Sequence, residues 1–474
     1  MNLLHKVVLY LIATCLQLTS LSLVYAASKP NILLIISDDA GYHDFGFHGS
    51  KTMKTPNLDK FAKHSILFKQ AYVTAAVCGP SRAGLFTGKY QQKFGFEENN
   101  VPGFMSESGL MGDEMGLPLS ELTIADHLRQ LGYTTGLIGK WHLGDHDKYH
   151  PIRRGFDHFY GFRTGSRSYY AYDESELKQR NNERMERGFK VYKEHQGYLT
   201  DALVAETSQF ITTTVQNKQP FFAVLSLTAV HAPMQAKPED LAQFPNLTGT
   251  RKILAAMNLN MDQQLGLLFN QLERLKIANN TLVVFVNDNG GPTDQNHANN
   301  YPLSGTKANH LEGGIRVPML MRLPDKLTAN MQFEYPVSTL DLMPTFLTLA
   351  GANLAEFAHL DGVNLLPYLN KKSNTTQTRP HKTLYWKKEN RAAIRDMDWK
   401  LLRFPDRPVE LYNLAQDQAE QINLAKQQPQ IVKDLYQKLF AWELTLERPL
   451  WQLKRQYEGA AMRRMDKYRN HKAD

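Results

Sequence analysis

Cys78 opens the stretch of sequence that is richest in side chains able to do chemistry. It begins the run Cys-Gly-Pro-Ser-Arg, which ends at Arg82 and is followed by Ala-Gly-Leu-Phe-Thr-Gly. Because proline suits the first turn of a helix, Pro80 predicts that Cys78 lies at a helix N-terminus, where backbone N–H groups favour an anion. Arg82 adds a planar fork of donors for the oxygens of that anion. For an isolated cysteine, a buried structural role is the alternative.

A second run, Gly-Lys-Trp-His, places Lys140 and His142 after a short predicted strand over 134–138. If this segment is extended, the two side chains alternate onto one face and reach the same site. Taken alone, a lysine and a histidine two residues apart are more often surface residues.

Oxygen-bearing side chains follow two predicted strands. Asp38 and Asp39 come after the apolar run over 31–36, and Asp288 and Asn289 come after the run over 282–286. Hard divalent cations prefer carboxylate and amide oxygens, and the sequence has no Cys or His cluster with zinc spacing. Either pair alone is more often a turn or a helix cap. The two pairs together predict a metal site.

Two further candidates stand beside turns. His231 opens the run His-Ala-Pro after a predicted strand over 221–227, and Lys307 lies in the run Gly-Thr-Lys-Ala-Asn-His-Leu-Glu-Gly-Gly. A positioned histidine or lysine can protonate a leaving group. Outside such a context, each residue is more often an ordinary surface or capping residue.

The elements that must position these residues alternate between strands and helices. The three strand patterns over 31–36, 221–227 and 282–286 are separated by helix patterns, including those over 123–131 and 252–275. This alternation predicts an α/β layered domain. Ligands collect beyond the carboxyl ends of the strands in such sheets, and that is where the candidates at 38, 39, 231 and 288 would lie.

A smaller second domain is expected after a polar, linker-like run over 371–378. Beyond it, short strand patterns and one helix pattern cover 382–386, 391–395, 400–403 and 429–442. They predict a small antiparallel sheet with one helix. We therefore divide the chain into a signal peptide over 1–26, a catalytic domain over 27–375 and a C-terminal α+β subdomain over 376–474.

The N-terminal segment has the pattern of a secretory signal. Lys6 precedes an apolar run from Val7, and the small-residue stretch that ends at Ala26 fits a cleavage site. Polar residues interrupt the run, which argues against the alternative of a retained membrane anchor. We expect an exported protein, periplasmic or secreted, without stable membrane insertion. Cys15 would leave with the signal, so that Cys78 is the one thiol of the mature chain.

Composition and charge exclude some classes of protein. The 474 residues are 42% hydrophobic and 22% charged, which argues against a fibrous or disordered chain. The formal net charge is +8, and residues 448–474 carry eight Lys or Arg against three Asp or Glu. Because this excess lies on a terminal segment without base-reading motifs, no nucleic-acid partner is predicted. We expect this basic tail, residues 448–474, to be a solvated segment rather than a surface that attracts polyanionic substrate.

The runs at Cys78 and Lys140 resemble the two signatures of the formylglycine-dependent sulfatase family, which belongs to the alkaline-phosphatase-like superfamily. The resemblance continues at Asp-Trp-Lys-Leu-Leu over 398–402 and Glu-Leu-Tyr-Asn-Leu over 410–414, and so covers nearly the whole mature chain. It implies a large mixed sheet between helices, a small C-terminal domain and the hydrolysis of sulfate esters. It also implies a maturation enzyme that oxidises Cys78 to formylglycine, whose hydrate attacks sulfur.

The resemblance assigns a role to each candidate. Lys140 would touch the sulfate and the formylglycine, and His142 would hydrogen-bond a hydroxyl of the hydrate. His231 and Lys307 would contact the sulfate and the leaving oxygen, and either residue is a candidate general acid. One Ca²⁺ would be held by Asp38, Asp39, Cys78, Asp288 and Asn289.

The sequence departs from the family pattern at two secondary positions. Ser304 stands where relatives usually carry arginine, and Asn287 stands where a small hydroxyl residue is common. Neither position is a core ligand, so the departures put secondary contacts in doubt rather than the chemistry.

Two other functions and the substrate stay open at this point. A phosphoric or phosphonic ester hydrolase of the same superfamily is one alternative, and a non-catalytic polyanion-binding relative is the other. Export and the basic charge favour sulfated polysaccharide fragments as substrates. The aromatic and basic stretch over 156–180 is either a sugar-binding segment or a packed surface loop, and its candidates are Arg163, Arg167, Tyr169, Tyr170 and Tyr172.

Overall fold

A computed structural model describes residues 29–369 and 378–474. The predicted signal peptide over 1–26 lies outside the described residues, as do the domain boundary at 375/376 and nearly all of the predicted linker. Within the described ranges, no helix is long and apolar enough to cross a membrane.

The strands fall into three sheets. In chain order they are β1 (Asn31–Ser37), β2 (Ile66–Phe68), β3 (Ala71–Tyr72), β4 (Thr134–Lys140), β5 (His158–Phe162), β6 (Glu186–Arg187), β7 (Lys190–Val191), β8 (Phe221–Ser226), β9 (Thr281–Asn287), β10 (Arg316–Val317), β11 (Met319–Arg322), β12 (Met331–Phe333), β13 (Val337–Ser338), β14 (Thr383–Lys388), β15 (Arg391–Asp396), β16 (Trp399–Arg403) and β17 (Glu410–Asn413).

The helices lie between and beyond these strands. They are α1 (Pro56–Ala62), α2 (Cys78–Thr87), α3 (Ile124–Gln130), α4 (Glu174–Gln179), α5 (Leu199–Gln216), α6 (Pro238–Leu241), α7 (Gly249–Arg274), α8 (Glu312–Ile315), α9 (Leu342–Leu349), α10 (Leu366–Leu369), α11 (Pro429–Glu443), α12 (Arg455–Glu458) and α13 (Ala460–Lys467).

The large sheet has ten strands in the order β12-β2-β11-β9-β1-β8-β4-β5-β6-β7. The five strands from β9 to β5 are parallel, whereas β11 runs antiparallel to β9 and β6 runs antiparallel to β5. The sheet is therefore mixed, as the resemblance implied. A second sheet, β10-β3-β13, has three short strands.

Helices cover both faces of the large sheet. Successive residues of β1 point to opposite sides, so that Leu34 packs in one core and Leu33 and Ile35 pack in the other. Helices α2, α3 and α9 contribute to the first core, and α1, α5 and α7 contribute to the second. Burial on both faces explains why β1 is a continuous apolar run.

The C-terminal subdomain is a four-stranded antiparallel sheet, β14-β15-β16-β17, with α11 against one face. Ile394, Leu401 and Leu411 pack there with Leu439 of the helix. The opposite face, including Trp386, joins the core of the large domain. The predicted small sheet with one helix is therefore confirmed, and it shares a core with the catalytic domain.

The basic tail differs from the expectation of a solvated segment. Met462 and Met465 of α13 are buried in the main core, and Arg469 pairs with Glu410 of β17 at 2.7 Å. The alternation of apolar and basic residues in this segment reflects one face that packs on the domain. Net charge alone did not predict this packing, in which two of the cations, Arg464 and Arg469, pair with acidic residues.

Candidate active site

The carboxyl ends of four neighbouring strands meet at one edge of the large sheet, and the predicted site residues lie there. Asp38 follows β1, Lys140 ends β4 and Asp288 follows β9. His231 lies in the loop that follows β8. Because β9, β1, β8 and β4 are adjacent and parallel, residues far apart in sequence converge at this edge.

Cys78 begins helix α2, as the sequence predicted, and is 1% exposed. Its Sγ lies 3.5 Å from Asp38 Oδ1 and 3.2 Å from Lys307 Nζ. The thiol therefore sits at the N-terminal end of a helix, between an acid and a cation.

Three buried acids in the site are each paired with a buried cation. Lys140 Nζ lies 2.6 Å from Asp38 Oδ2, and Lys307 Nζ lies 2.7 and 2.8 Å from the two oxygens of Asp39. The third pair joins Arg82 Nε to Asp288 Oδ2 at 3.0 Å. Buried charges need such partners, because moving an ion out of water still costs several kcal/mol after the protein relaxes around it.

The electrostatic environment moves the pKa values of these groups in opposite directions. Burial by itself would raise the pKa of Asp38, but Lys140, His231, Arg82 and Lys307 together hold it well below its usual range. For Asp288, burial and then the charge of Asp38 raise the pKa to about 6. The pKa values of these two carboxyls therefore differ, because nearby cations dominate at Asp38, whereas burial and the negative charge of Asp38 dominate at Asp288.

The site residues fit a hard divalent cation. One ligand atom from each of Asp38, Asp39, Cys78 and Asp288 lies within 4.8 Å of the others. Asp288 Oδ1 and Asn289 Oδ1 are buried without a hydrogen-bond partner in the described ranges. Buried oxygens without a donor suit a cation, and an oxygen-rich set suits calcium better than zinc. The loop after Asn289 is tightly packed, because a Cβ at Gly290 would lie 1.8 Å from the carbonyl oxygen of Gly313.

His142 reaches the site differently from the prediction. Strand β4 ends at Lys140, and His142 has a φ of +60°, so the two side chains do not alternate along an extended segment. The imidazole is 4% exposed and packs beside Gly165, and neither ring nitrogen has a partner in the described part of the chain. Burial first, and then the charge of Lys140, lowers the pKa of His142 well below its usual value. A neutral, unpartnered imidazole is free to accept a proton.

His231 and Lys307 both face Asp39 but differ in their remaining contacts. His231 Nε2 lies 3.4 Å from Asp39 Oδ2, and its side chain is 18% exposed. Lys307 Nζ contacts both Asp39 oxygens and Cys78 Sγ, and is largely buried. His231 is therefore the member of this pair that lies at the mouth of the site.

Arg82 contacts different groups from those expected of it. It is fully buried and donates to Asp288, and its Nη1 lies 2.6 Å from Ser226 Oγ. Its Nη2 lies 3.0 Å from Asp288 Oδ2 and 3.7 Å from Asp38 Oδ2. This guanidinium thus holds two acids of the site in place.

Two residues of the site were missed from the sequence. Asn99 Oδ1 accepts a hydrogen bond from the Gly79 N–H at 2.8 Å, and so orients the start of α2. Ser226 ends β8, and its hydroxyl links Arg82 to the carbonyl of Lys140. The strand-end argument that found Asp38 could have found Ser226. No sequence signal pointed to Asn99, which is 21 residues beyond Cys78.

The two departures from the family pattern have structural contacts. Asn287 Nδ2 donates to the carbonyls of Ala40 and Asn289, and so joins the two acidic loops. Ser304 Oγ donates to the carbonyl of Ala419 in the C-terminal subdomain. Both residues therefore hold site loops in place.

The stretch over 156–180 is mostly packed. Arg167 is buried and pairs with Glu194, and Tyr169 is buried with its hydroxyl on the Thr228 carbonyl. Arg163 pairs with Asp147 and Glu186, and Tyr172 is buried. Of the five candidates, Tyr170 alone is an exposed side chain, at 39%.

Comparison with known proteins gives the family. A sequence model described as Sulfatase matches residues 30–352, which is more than half of the chain. The chain belongs to the sulfatase family. A second model, described as N-sulphoglucosamine sulphohydrolase, C-terminal, matches residues 307–444 and so extends the sulfatase similarity into the small sheet.

The matches to named sulfatases cover most of this chain. The steryl-sulfatase of Homo sapiens is 29% identical over 468 residues, with 80% of this chain and 77% of that protein covered. The N-acetylgalactosamine-6-sulfatase of Homo sapiens is 32% identical over 357 residues, with 73% and 66% covered. These relatives and the family match make the chain a sulfuric ester hydrolase.

Solved structures agree with the fold. The crystal structure of Ps i-CgsB in complex with k-i-k-neocarrahexaose is 38% identical, with a TM-score of 0.84 over 93% of this chain and 98% of that one. The phosphonate monoester hydrolase of Agrobacterium radiobacter is 21% identical with a TM-score of 0.62, which shows the fold alone.

Proposed function

We propose that the chain is an exported sulfatase that removes sulfate from oligosaccharides of sulfated polysaccharides, with Cys78 matured to formylglycine and one Ca²⁺ bound. The observation that carries the chemistry is the position of Cys78 Sγ, at the start of α2 and within 3.5 Å of both Asp38 and Lys307. At this position, the N-terminus of the helix and the nearby cations can bind the oxygens of a sulfate that reacts with residue 78.

Cys78 would carry the formylglycine. Ca²⁺ would be held by residue 78 together with Asp38, Asp39, Asp288 and Asn289. If matured to formylglycine, residue 78 would supply a geminal diol for attack on sulfur and for release of sulfate, and a bound Ca²⁺ would supply positive charge for the sulfate oxygens. Overall, the S–O bond to the sugar breaks, water supplies the new oxygen on sulfur, and the sugar oxygen takes a proton.

The residues of the chain divide the remaining work. Lys140 and Lys307 bind the sulfate oxygens, and Arg82, held by Asp288, adds to the positive charge that stabilises them. His142, which is neutral and has no hydrogen-bond partner among the described residues, would accept the proton of the second hydroxyl. His231, at the mouth of the site, donates the proton to the leaving sugar oxygen.

The substrate class is proposed from likeness and charge. Ps i-CgsB, which is similar to this chain over nearly its full length, was crystallised with an oligosaccharide, k-i-k-neocarrahexaose. The site itself contains three cations, Arg82, Lys140 and Lys307, which suit an anionic substrate group. We therefore place sulfated galactan fragments first among substrates.

Sulfate release from a panel of oligosaccharides tests this proposal. The matured protein should release sulfate faster from k-i-k-neocarrahexaose and other sulfated galactans than from sulfated fucans or glycosaminoglycans. An aryl sulfate and an aryl phosphate, run in parallel, separate a sulfatase from a phosphoesterase and from a binding protein. Faster hydrolysis of the phosphate would contradict the assigned chemistry, and preference for fucan or glycosaminoglycan would contradict the substrate class alone.

A further inference from the structure

The basic tail lies across two loops that carry site residues. The Lys307 loop, residues 288–311, joins β9 to α8, and the Asp38 loop, residues 38–55, joins β1 to α1. Tail residue Asp474 pairs with His43 of the Asp38 loop at 2.8 Å and accepts hydrogen bonds from Ser50 and Thr52. The tail therefore makes specific polar contacts at the rim of the site.

Contacts with the Lys307 loop are more numerous. Arg464 donates two hydrogen bonds to the carboxylate of Asp294, at 2.6 and 2.7 Å. Asn299 Nδ2 donates to the carbonyl of Lys472 at 2.8 Å. Ala461 of α13 packs against Ala308, the residue that follows Lys307. Polar and apolar contacts thus hold this loop from its beginning to its end.

The peptide groups of Gly305 receive the most direct contact. The Gly305 N–H donates to the carbonyl of Tyr468 at 3.1 Å, and His471 Nε2 lies 2.7 Å from the carbonyl oxygen of Gly305. Since a carbonyl oxygen only accepts, His471 donates here through its Nε2–H. Gly305 has a φ of +87° and stands two residues before Lys307. The tail therefore contacts both backbone groups of this turn residue, and it shares the carbonyl with Asn300 Nδ2, at 3.2 Å.

Position matters for Lys307 because its ammonium group touches three atoms at once. Nζ lies 2.7 and 2.8 Å from the two Asp39 oxygens and 3.2 Å from Cys78 Sγ. A lysine side chain is flexible, so its head is placed by the backbone that carries it and by these partners. A shift of the turn at Gly305 would move the ammonium group relative to residue 78.

We propose that His471 is a positioning residue for Lys307: by holding the Gly305 carbonyl, the tail fixes the lysine against the reacting group of residue 78. This inference rests on the role of Lys307 in the proposed function. His471 does not touch the reacting atoms, and its effect on catalysis passes through the turn.

The test is a double-mutant cycle in the full-length, matured protein, with His471→Ala, Lys307→Ala and the combined variant. Misplacement of a catalytic group by about 1 Å costs up to roughly 10²-fold in rate, so His471→Ala should lower kcat on an aryl sulfate by about tenfold or more. In the Lys307→Ala background, His471→Ala should lower kcat no further. Equal losses in both backgrounds would show a merely structural role and overturn the inference.

Two further variants keep the test decisive. His471→Gln retains a side-chain donor and should recover part of the lost kcat, whereas Lys472→Ala, which leaves its backbone carbonyl in place, should match the parent. Hydrogen exchange of the amides over 304–308 should be faster in His471→Ala and parental in Lys472→Ala. If His471→Ala does not fold, His471→Leu, which fills more of the space and has no donor, takes its place, and parental kcat and exchange in that variant overturn the inference.

The outcomes separate this inference from the proposed function. Full activity of Lys307→Ala would overturn the role of Lys307 in the proposed function, and this inference with it. Low activity of Lys307→Ala, together with parental activity of His471→Ala, would overturn this inference alone.

Discussion

At the scale of single residues, the site brings three acids and three cations together around one thiol. Asp38 and Asp39 each have a lysine partner, and Asp288 is paired with Arg82. An anion that enters meets cations already fixed by these acids, so little reorganisation is needed when charge develops. The arrangement suits a tetrahedral oxyanion such as sulfate.

Replacement of Cys78 by serine should abolish turnover and leave the fold intact. Serine fits the same buried position, but it has one hydroxyl and no second one with which to expel sulfate. Activity of Cys78→Ser should stay at background with the maturation enzyme present, and its melting temperature should match the parent. For the parent, turnover should rise in proportion to the aldehyde fraction measured by mass spectrometry of the Cys78 peptide. Parental turnover by wholly unmodified protein would rule out this mechanism.

The general acid is testable through the leaving group. His231→Ala should lose about 10²-fold or more on an alkyl sugar sulfate, whose alkoxide needs a proton, and much less on an aryl sulfate with an acidic phenol. The same pair of substrates should be measured with His142→Ala, which is expected to lose activity on both, because sulfate release follows departure of the alcohol. A similar loss on both substrates for His231→Ala would remove it from the acid role.

At the scale of elements, strand ends and a helix start were the parts of the site that the sequence predicted. Continuous apolar runs mark β1 and β9, and the acids after them follow directly, so Asp38 and Asp288 could be placed at one edge. The turn at His142 and the contact of Asn99 with α2 could not be found this way. Both depend on how loops pack after distant elements have met, and local patterns do not encode that.

A buried ionic cluster joins the C-terminal sheet to the element that follows the Lys307 loop. Lys400 of β16 is 0% exposed, and its Nζ lies 2.8 Å from both Glu312 of α8 and Glu420. Glu312 also accepts a hydrogen bond from Tyr72 at 2.6 Å. Because one lysine serves two carboxyls, burial and the neighbouring Glu312 raise the pKa of Glu420 to about 7.

Removal of the shared cation should destabilise the protein far more than neutralisation of one acid. Lys400→Met should lower the free energy of unfolding by about 3–5 kcal/mol, because a buried charge then lacks its partner. Glu420→Gln keeps the shape and leaves the pair between Lys400 and Glu312, so its cost should be about 1 kcal/mol near pH 5.5. Urea unfolding of both variants and the parent would measure the difference.

The raised pKa of Glu420 determines how the stability of the protein changes with pH. Since the pKa of Glu420 is raised from 4.5 to about 7 in the folded chain, its contribution to stability is present below pH 4.5 and is lost as pH rises through about 7. Glu420→Gln does not lose stability in this way. Its free energy of unfolding, relative to that of the parent, should therefore be more favourable at pH 8 than at pH 5.5. A larger deficit at pH 8 would show that Glu420 is ionised and favourably paired there.

At the scale of the whole molecule, the proposed cation site would draw its ligands from three separate segments. Asp38 and Asp39 follow β1, Cys78 begins α2, and Asp288 and Asn289 follow β9. These residues meet only in the folded chain, so a cation that binds them stabilises the folded state by mass action. Binding should therefore be visible in stability as well as in turnover.

Chelation should abolish turnover and lower the melting temperature, and calcium should restore both better than zinc. The physical reason is that the four protein side chains at 38, 39, 288 and 289 offer only oxygen, and two of their oxygens are buried without a donor in the described part of the chain. At a free calcium concentration of 100 times the dissociation constant, the gain in stability should be about 2.7 kcal/mol. Asp288→Asn removes a ligand charge and should weaken the calcium-dependent rise in melting temperature, whereas Asp325→Asn, outside the site, should leave it unchanged. Recovery of both turnover and stability with zinc alone would overturn the calcium assignment.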